Sequence, residues 1–339
     1  MRGTHRSLRT DRVHFGPGSL EELAAEAGAH ERAFVITGRT LSEKTGLVRR
    51  VEEILGNRHA GTFAGMGEHT PGRAVERAAE GARGSGLLVS VGGGSVIDGA
   101  KAVAARLGYP AQVAVPTTLS GAEYAERVGV TDEAAGRKSG FVDERAVPPA
   151  VILDPETTRF TPEKLWLSTG IRALDHAVEG FIWGGPHPVT DVTGLEGARR
   201  LVEYLPESKR SPEDEEARLQ LQLAAWLSYF APLNTPMGLS HNLGRRIGAS
   251  YGVPHGYTSC LTLAPTVSVA KRGMSGERWR ALGDALGGEP DEAIAELVRG
   301  LDLPHTLSEV GVPEEDIDSI AAEFGDSAEK AREILRLAR

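Results

Sequence analysis

The sequence has too few cysteines for a disulfide and no long apolar segment, the features that mark many secreted and membrane proteins. It has one cysteine in 339 residues, Cys260, which excludes an internal disulfide and favours a reducing compartment. No run approaches the ~20 apolar residues that a membrane-spanning helix requires. The first twelve residues carry four arginines with no apolar stretch behind them, so we expect a solvated tail and not a signal peptide. These absences predict a cytoplasmic protein.

Positive charge is also scarce. The chain has 38 lysines and arginines against 47 aspartates and glutamates, a formal net charge of −9. Because phosphate backbones and anionic headgroups attract basic surfaces, this balance argues against nucleic acid or a membrane as the main partner. We therefore expect a small molecule as the partner.

The order of predicted elements divides the chain near residue 156. Before it, β-rich runs at 33–37, 87–91, 112–115 and 151–153 alternate with helical patterns, which predicts a parallel sheet. After it, helical patterns follow one another between glycines and prolines. We predict an α/β domain of Rossmann-like type over 1–156 and an all-α domain over 157–339, because about 150 residues is a common domain size.

The most informative stretch is Leu87 to Lys101, LLVSVGGGSVIDGAK, in which a strand runs through three glycines into a helix. Glycines let the backbone approach an anion, and the helix start offers unpaired N–H groups. Ser95 and Asp98 have the spacing of a capping box, which predicts a helix beginning at Ser95. The stretch predicts a phosphate-binding loop, although a plain glycine-rich turn also fits it.

Three histidines of the second half, His176, His241 and His255, could together bind a divalent transition metal through their imidazoles. The chain has ten histidines, so three unrelated side chains are the alternative.

Together these motifs resemble the iron-dependent (group III) alcohol dehydrogenases, and in particular their maleylacetate reductase branch. The resemblance covers nearly the whole chain. It rests on segments 13–18, 92–101 (GGGSVIDGAK), 116–121 (PTTLSG), 168–179 (STGIRALDHAVE) and 254–256 (PHG), and on the spacing from His241 to His255.

The resemblance implies hydride transfer between NAD or NADP and a carbonyl or alcohol, in a cleft between the two domains. It implies cofactor-binding roles for residues of both nucleotide loops and for a lysine expected at the ribose: Gly93, Gly94, Ser95, Asp98, Thr117, Thr118, Ser120 and Lys138. A solvated surface lysine is the alternative for Lys138. The family's metal, iron or zinc, would be held here by His176, His241 and His255.

The sequence departs from the family first at Arg172, which replaces an aspartate ligand one helical turn before His176. A guanidinium held about 5 Å from a divalent ion would repel it by roughly 7 kcal/mol at an effective dielectric near 20. Asp175 is not an obvious replacement, because it points about 100° around the helix from His176. We expect weakened or abolished metal binding.

The second departure is Arg245, where the alcohol dehydrogenases usually carry another histidine. Our hypothesis is that Arg172 and Arg245 replace the positive charge of the metal and select an anionic substrate, with His241 or His255 as proton donor. The alternative is that these arginines form ion pairs with Asp175 or Glu179.

The third departure follows the first strand, where many relatives have an aspartate that binds the adenosine ribose. This chain has Gly38 and then Arg39, which admits NADP alongside NAD. The segment 68–71 (EHTP) resembles one of the maleylacetate reductases and favours an acidic substrate, although a Thr-Pro turn explains it equally well.

The combined interpretation is an NAD(P)H-dependent oxidoreductase of a small anionic carbonyl or alcohol, with a degenerate metal site. We expect a homodimer. One alternative is a metal-dependent dehydrogenase of a polyol or glycerol phosphate. Another is a nucleotide-binding protein without turnover. The intact nucleotide loop and the three histidines favour the enzyme.

Overall fold

The computed structural model describes residues 2–133 and 137–339, with backbone alone for residues 137 and 138. Two compact units form within the chain. Residues 8–161 make up one, here called the sheet unit, and residues 1–7 with 162–339 make up the other, the helical unit. The units divide after Thr161; the domain boundary near residue 156 stays a prediction.

A six-stranded parallel sheet organises the sheet unit, in the order β1-β8-β5-β4-β2-β3, and an antiparallel pair, β6 and β7, stands apart from it. The elements of this unit are β1 (Arg12–Phe15), α1 (Leu23–Ala27), β2 (Ala33–Thr37), α2 (Arg39–Lys44), α3 (Leu47–Leu55), β3 (His59–Phe63), α4 (Gly72–Gly81), β4 (Leu87–Gly92), α5 (Gly94–Arg106), β5 (Ala111–Pro116), β6 (Arg127–Asp132), β7 (Arg137–Val142), β8 (Ala150–Leu153) and α6 (Pro155–Thr158).

Helices cover both faces of this sheet. Successive side chains of a strand point to opposite faces, so each strand contributes to two buried clusters. Val35 and Val89 belong to a buried cluster with residues of α1 and α3, whereas Phe34 and Leu88 belong to another with residues of α4 and α5. Strands buried on both faces read as continuous apolar runs, as 33–37 and 87–91 do. The predicted Rossmann-like parallel-sheet domain is confirmed.

The helical unit contains helices only, within the part of it that the structure describes. They are α7 (Glu163–Trp183), α8 (Thr190–Arg210), α9 (Glu215–Ser228), α10 (Phe230–Asn234), α11 (Leu239–Tyr251), α12 (His255–Ala270), α13 (Gly276–Leu286), α14 (Pro290–Gly300), α15 (Ile317–Ala322) and α16 (Ala328–Leu337). Helix α7 is buried around its whole circumference from Trp166 to Phe181, against α8, α9 and α12. The predicted all-α second half is confirmed.

No helix in the described residues has the length and apolar character needed to cross a lipid bilayer.

Candidate active site

Two loops of the sheet unit meet where strands β4 and β5 end. The register pairs Gly92, the last residue of β4, with Pro116, the last of β5. The backbone N–H of Thr117 donates to the carbonyl oxygen of Gly92 at 3.1 Å. The glycine loop and the 117–120 loop, which the sequence assigns to one cofactor site, are therefore neighbours.

The glycines of this loop are required by close approach. Gly92 has a φ of 153°, a conformation that favours glycine. A Cβ on Gly93 would lie 3.0 Å from Cγ2 of Thr118, and one on Gly94 would lie 2.9 Å from Oγ of Ser120. Any larger residue would displace the hydroxyl side chains that share the loop.

Helix α5 begins at Gly94, with Gly93 as its N-cap and no side-chain cap. The predicted start at Ser95 was one residue late, and the capping box does not form. Ser95 lies in the first turn of the helix and not at its N-cap, and its Oγ accepts a hydrogen bond from the backbone N–H of His69 at 3.0 Å. A helix N-terminus without a side-chain cap leaves N–H groups that could hold a phosphate.

Asp98 and Lys101 anchor the segments around this loop. Oδ2 of Asp98 accepts from the backbone N–H of Gly129 at 3.1 Å. The ammonium of Lys101 is fully buried and donates to the carbonyl oxygens of Ala122 and Ala125, the latter at 2.7 Å. Burial lowers the pKa of Lys101, and the Asp98 carboxylate at 3.7 Å opposes that shift. Lys101, which sequence reasoning did not select, fixes the chain that follows the second nucleotide loop.

The remaining cofactor candidates lie at the end of β2 and on β7. Gly38 is the N-cap of α2, and a Cβ there would lie 3.9 Å from Val96 of α5. Arg39 extends into solvent with 79% of its side chain exposed, 3.8 Å from Glu43. The side chain of Lys138 lies outside the described part of the chain.

In the helical unit, Arg172, Asp175, His176 and Glu179 lie within two turns of α7, and all four are buried. Four polar side chains in the most buried helix of a unit need partners, since an unpaired buried charge is costly. Helices α11 and α12 supply those partners.

The guanidinium of Arg172 joins the three helices. Its Nη1 donates to Oγ of Ser259 on α12 at 3.0 Å, and its Nη2 lies 2.9 Å from Nε2 of His241 on α11. The carboxylate of Asp175 is 3.5 Å from Nη1. The ion pair with Asp175 and the approach to His241 therefore occur together.

These residues do not fit a metal ion. A guanidinium only donates hydrogen bonds, so Nε2 of His241 must accept, which uses the lone pair that a metal would need. Across residues 2–133 and 137–339, no group of three or more histidine, cysteine, aspartate or glutamate side chains is placed to hold one.

Asp175 balances the charge of Arg172, and the carboxyl of Glu179 lies one turn further along α7. Burial raises the pKa of Asp175, while Arg172 and a hydrogen bond from Ser259 lower it. Burial and the nearby Asp175 raise the pKa of Glu179 to about 8. The Glu179 carboxyl accepts from the backbone N–H groups of Gly238, Ser240 and His241 at 2.8–3.2 Å, so it caps the start of α11.

The structure brings His241 next to the other predicted residues of the helical unit. The rings of His176 and His241 have centroids 5.9 Å apart. Burial, and secondarily the charge of Arg172, lower the pKa of both rings well below the usual histidine value. His255 is the exposed first residue of α12, and Arg245 is exposed on α11. The charges of His255 and Arg245 also lower the pKa of His241, so both lie within its electrostatic reach.

Sequence reasoning missed Ser259 and named Glu179 only as an ion-pair partner. Ser259 lies in the segment 255–270, which contains no charged residue after His255 and which therefore shows no amphipathic period. A signal for Glu179 existed, since a carboxyl on a long apolar helix requires buried donors.

Known proteins resemble this chain in sequence and in architecture. A family model for the iron-containing alcohol dehydrogenases matches residues 10–155, and a model for the C-terminal part of the Fe-containing alcohol dehydrogenase family matches residues 166–331. The maleylacetate reductase of Sphingobium indicum is 32% identical over 92% of this chain and 88% of its own. That of Pseudomonas aeruginosa is 34% identical, again over 92% of this chain and 88% of its own.

A solved structure agrees with these sequence comparisons. The crystal structure of maleylacetate reductase from Rhizobium sp. strain MTP-10005 superposes with a TM-score of 0.91 at 28% identity, over 100% of this chain and 98% of that one. The two family models, the long sequence matches and the shared fold all point to one assignment. The chain belongs to the iron-containing alcohol dehydrogenase family.

Proposed function

We propose that the protein is a reductase that uses NADH or NADPH to reduce a small anionic carbonyl compound, with Arg172 and Arg245 supplying positive charge in place of a metal ion. Members of its family are NAD(P)-dependent oxidoreductases. Maleylacetate, the substrate named for the relatives, is the first candidate, and its carboxylates suit arginine.

The observation that carries this proposal is the hydrogen bond from Arg172 to His241. It puts a permanent cation at the nitrogen that a metal would otherwise take. The net effect is to keep positive charge in the site without a metal ion.

In this proposal, the cofactor supplies the hydride to the carbonyl carbon, and the carbonyl oxygen takes up a proton. The Gly93–Ser95 segment and the hydroxyls of Thr118 and Ser120 hold the cofactor's pyrophosphate. Arg245, which has no ion-pair partner among the described residues, binds a substrate carboxylate. His255 serves as the proton donor, because Nε2 of His241 already accepts from Arg172.

The arginine at position 172 acts on the reacting oxygen through charge. A guanidinium near a carbonyl stabilises the negative charge that develops on its oxygen during reduction. Burial, and secondarily the same charge, lower the pKa of His241, so this ring stays neutral at neutral pH.

The first experiment combines metal analysis with activity. Elemental mass spectrometry of the purified protein should find far less than one iron or zinc per chain. The same protein should oxidise NADH or NADPH with maleylacetate or a related keto acid and much more slowly with neutral aldehydes. Near-stoichiometric metal together with a preference for polyols or glycerol phosphate would instead establish the metal-dependent dehydrogenase.

Arg172→Asp tests the arginine directly, because it restores an acidic group at this position. We expect reduction of the anionic substrate to be lost without added metal. Arg299→Asp, at an exposed position of α14, is the matched control for charge reversal and should retain activity. Unchanged metal-free activity in Arg172→Asp would refute the role of the arginine.

We further propose that the enzyme acts in the cytoplasm as a homodimer. The single buried thiol fits a reducing compartment, and two-fold dimers are the commonest soluble oligomers. Light scattering coupled to size-exclusion chromatography should give twice the 36.0 kDa chain mass; a monomer mass would exclude the dimer.

A further inference from the structure

We propose that Asp175 and Ser259 are positioning residues that hold the guanidinium of Arg172 against His241, and that they thereby fix His241 as the tautomer protonated on Nδ1. The geometry stands by itself, whereas its effect on turnover rests on the proposed function. No role in the reaction follows for either residue from the sequence motifs above.

The hydrogen bonds run outward from Arg172, through Ser259 to Asp175 on one side and to His241 on the other. Oγ of Ser259 donates its single hydrogen to Oδ2 of Asp175 at 2.6 Å. Its lone pairs are then left to accept from Nη1 of Arg172 at 3.0 Å. Since the carboxylate itself stands 3.5 Å from Nη1, the serine hydroxyl bridges a distance that is too long for a good direct hydrogen bond.

The last link decides the state of His241. Nη2 of Arg172 can only donate, so Nε2 of His241, at 2.9 Å, carries no hydrogen. An imidazolium is excluded in this arrangement, because both of its nitrogens carry hydrogen. The one proton of the neutral ring is therefore on Nδ1, which is buried and has no hydrogen-bond partner in the described part of the chain.

The supports of this arrangement come from three helices. Asp175 and Ser259 are fully buried, and Arg172 is only 8% exposed, so water does not compete for these hydrogen bonds. Glu179 independently fixes the backbone of His241 by accepting from its N–H group. With both ends fixed, the orientation of the guanidinium depends on the bridge through Ser259.

Nuclear magnetic resonance of protein labelled with ¹⁵N in histidine tests the tautomer. Two-bond correlations between ring hydrogens and nitrogens distinguish a protonated Nδ1 from a protonated Nε2, and the signals of His241 are those absent from His241→Gln. We expect a protonated Nδ1 and an unprotonated Nε2 at neutral pH. A protonated Nε2, alone or in an imidazolium, would overturn the inference.

Ser259→Ala tests the positioning role, and Thr266→Val is its matched control. Thr266 lies on the same helix and has a buried hydroxyl without a hydrogen-bond partner among the described residues. We expect Ser259→Ala to give mixed His241 tautomers and about a tenfold loss in kcat, with KM for the cofactor unchanged, and Thr266→Val to keep both properties.

Ser259→Thr retains the hydroxyl and should restore the single tautomer, which a merely structural defect of the alanine variant would not predict. If Ser259→Ala keeps the wild-type tautomer and rate, the serine does not position Arg172. The two proposals fail separately. A protonated Nδ1 in an enzyme that reduces no anionic carbonyl would refute the proposed function alone, and a protonated Nε2 in an active reductase would refute this inference alone.

Discussion

The two candidate sites are built from opposite materials. In the sheet unit, the loop predicted to bind the cofactor consists of glycines and hydroxyl side chains. The glycines leave no room for a Cβ beside those hydroxyl side chains. In the helical unit, the site consists of Arg172, two buried carboxyl groups and neutral imidazoles. One site depends on backbone approach, and the other depends on the balance of buried charges.

This difference explains how each site tolerates change. Any side chain added to the glycine loop would damage it, whatever its charge. Its Cβ would lie closer to Thr118 or Ser120 than normal packing allows. A buried ion network is damaged by removing any one charge, because the others are left uncompensated.

The largest predicted effect comes from breaking the charge balance. Arg172→Met leaves the Asp175 carboxylate buried without its cation and should lower the free energy of unfolding by about 3 kcal/mol at neutral pH. Urea denaturation measures this loss. Arg245→Met, at an exposed position, is the control and should change stability by less than about 0.5 kcal/mol. Equal effects of the two variants would show that the charge of Arg172 is not structurally important.

The second prediction asks whether the sheet unit also contains a costly buried charge. Burial raises the pKa of Glu123 from the ordinary 4.5 to about 7. A raised carboxyl pKa favours the folded state below pH 4.5, and this contribution is lost as pH rises through 7. Glu123→Gln stays neutral, so from pH 5 to pH 8 it should gain about 2 kcal/mol relative to the natural protein.

Thermal unfolding at several pH values would measure this difference. Glu76→Gln, at an exposed position of α4, is the control and should follow the natural protein at each pH. A gap between Glu123→Gln and the natural protein that does not change with pH would show that the carboxyl is ionised throughout.

The third prediction damages the site built on backbone approach. Gly94→Ala places a Cβ against Ser120 at the start of α5 and should weaken NADH and NADPH binding about tenfold, equivalent to about 1.4 kcal/mol. Fluorescence titration of the cofactor measures this change. Gly46→Ala is the control, since a Cβ there meets nothing within 4 Å. If Gly94→Ala binds the cofactor as tightly as the natural protein, the phosphates of the cofactor do not bind at the start of α5.

The smallest effect concerns cofactor choice. Arg39 is exposed, so its contribution to binding a 2′-phosphate should be worth under about 1 kcal/mol. Arg39→Ala should reduce the preference for NADPH over NADH by roughly threefold in Kd. Glu43→Gln removes its nearby carboxylate and should change the preference in the opposite direction. If the ratio of the Kd values for NADPH and NADH is the same in all three proteins, Arg39 does not contribute to the choice of cofactor.

The fold of the sheet unit was largely predictable because its strands are buried on both faces. The runs at 33–37 and 87–91 are continuous and apolar, so their type was unambiguous. Strand β3 (His59–Phe63) was not predicted, because a half-buried edge strand of sequence HAGTF has little β-rich content. The pair β6 and β7 was missed as well.

In the helical unit, the sequence predicted several helices but not α12. The segment 255–270 is buried on nearly all sides and contains Pro265, so neither amphipathic period nor propensity marks it as a helix. The candidate site followed the same pattern. Arg172 could be identified because it lies in a family-like motif and differs from the residue expected there. Ser259 could not, because it is 87 positions from Arg172 in the sequence and meets it only in the folded chain.

Residues 1–7 make the helical unit discontinuous in sequence. They belong to the helical unit, where Arg6 and Asn234 exchange hydrogen bonds through the backbone of the former and the side chain of the latter. In topological terms, the sheet unit is an insertion near the beginning of the helical unit. No single cut in the chain therefore yields both units complete. A fragment starting at Pro162 lacks this segment, and dissection experiments need to supply it as a peptide or rejoin it through a short linker.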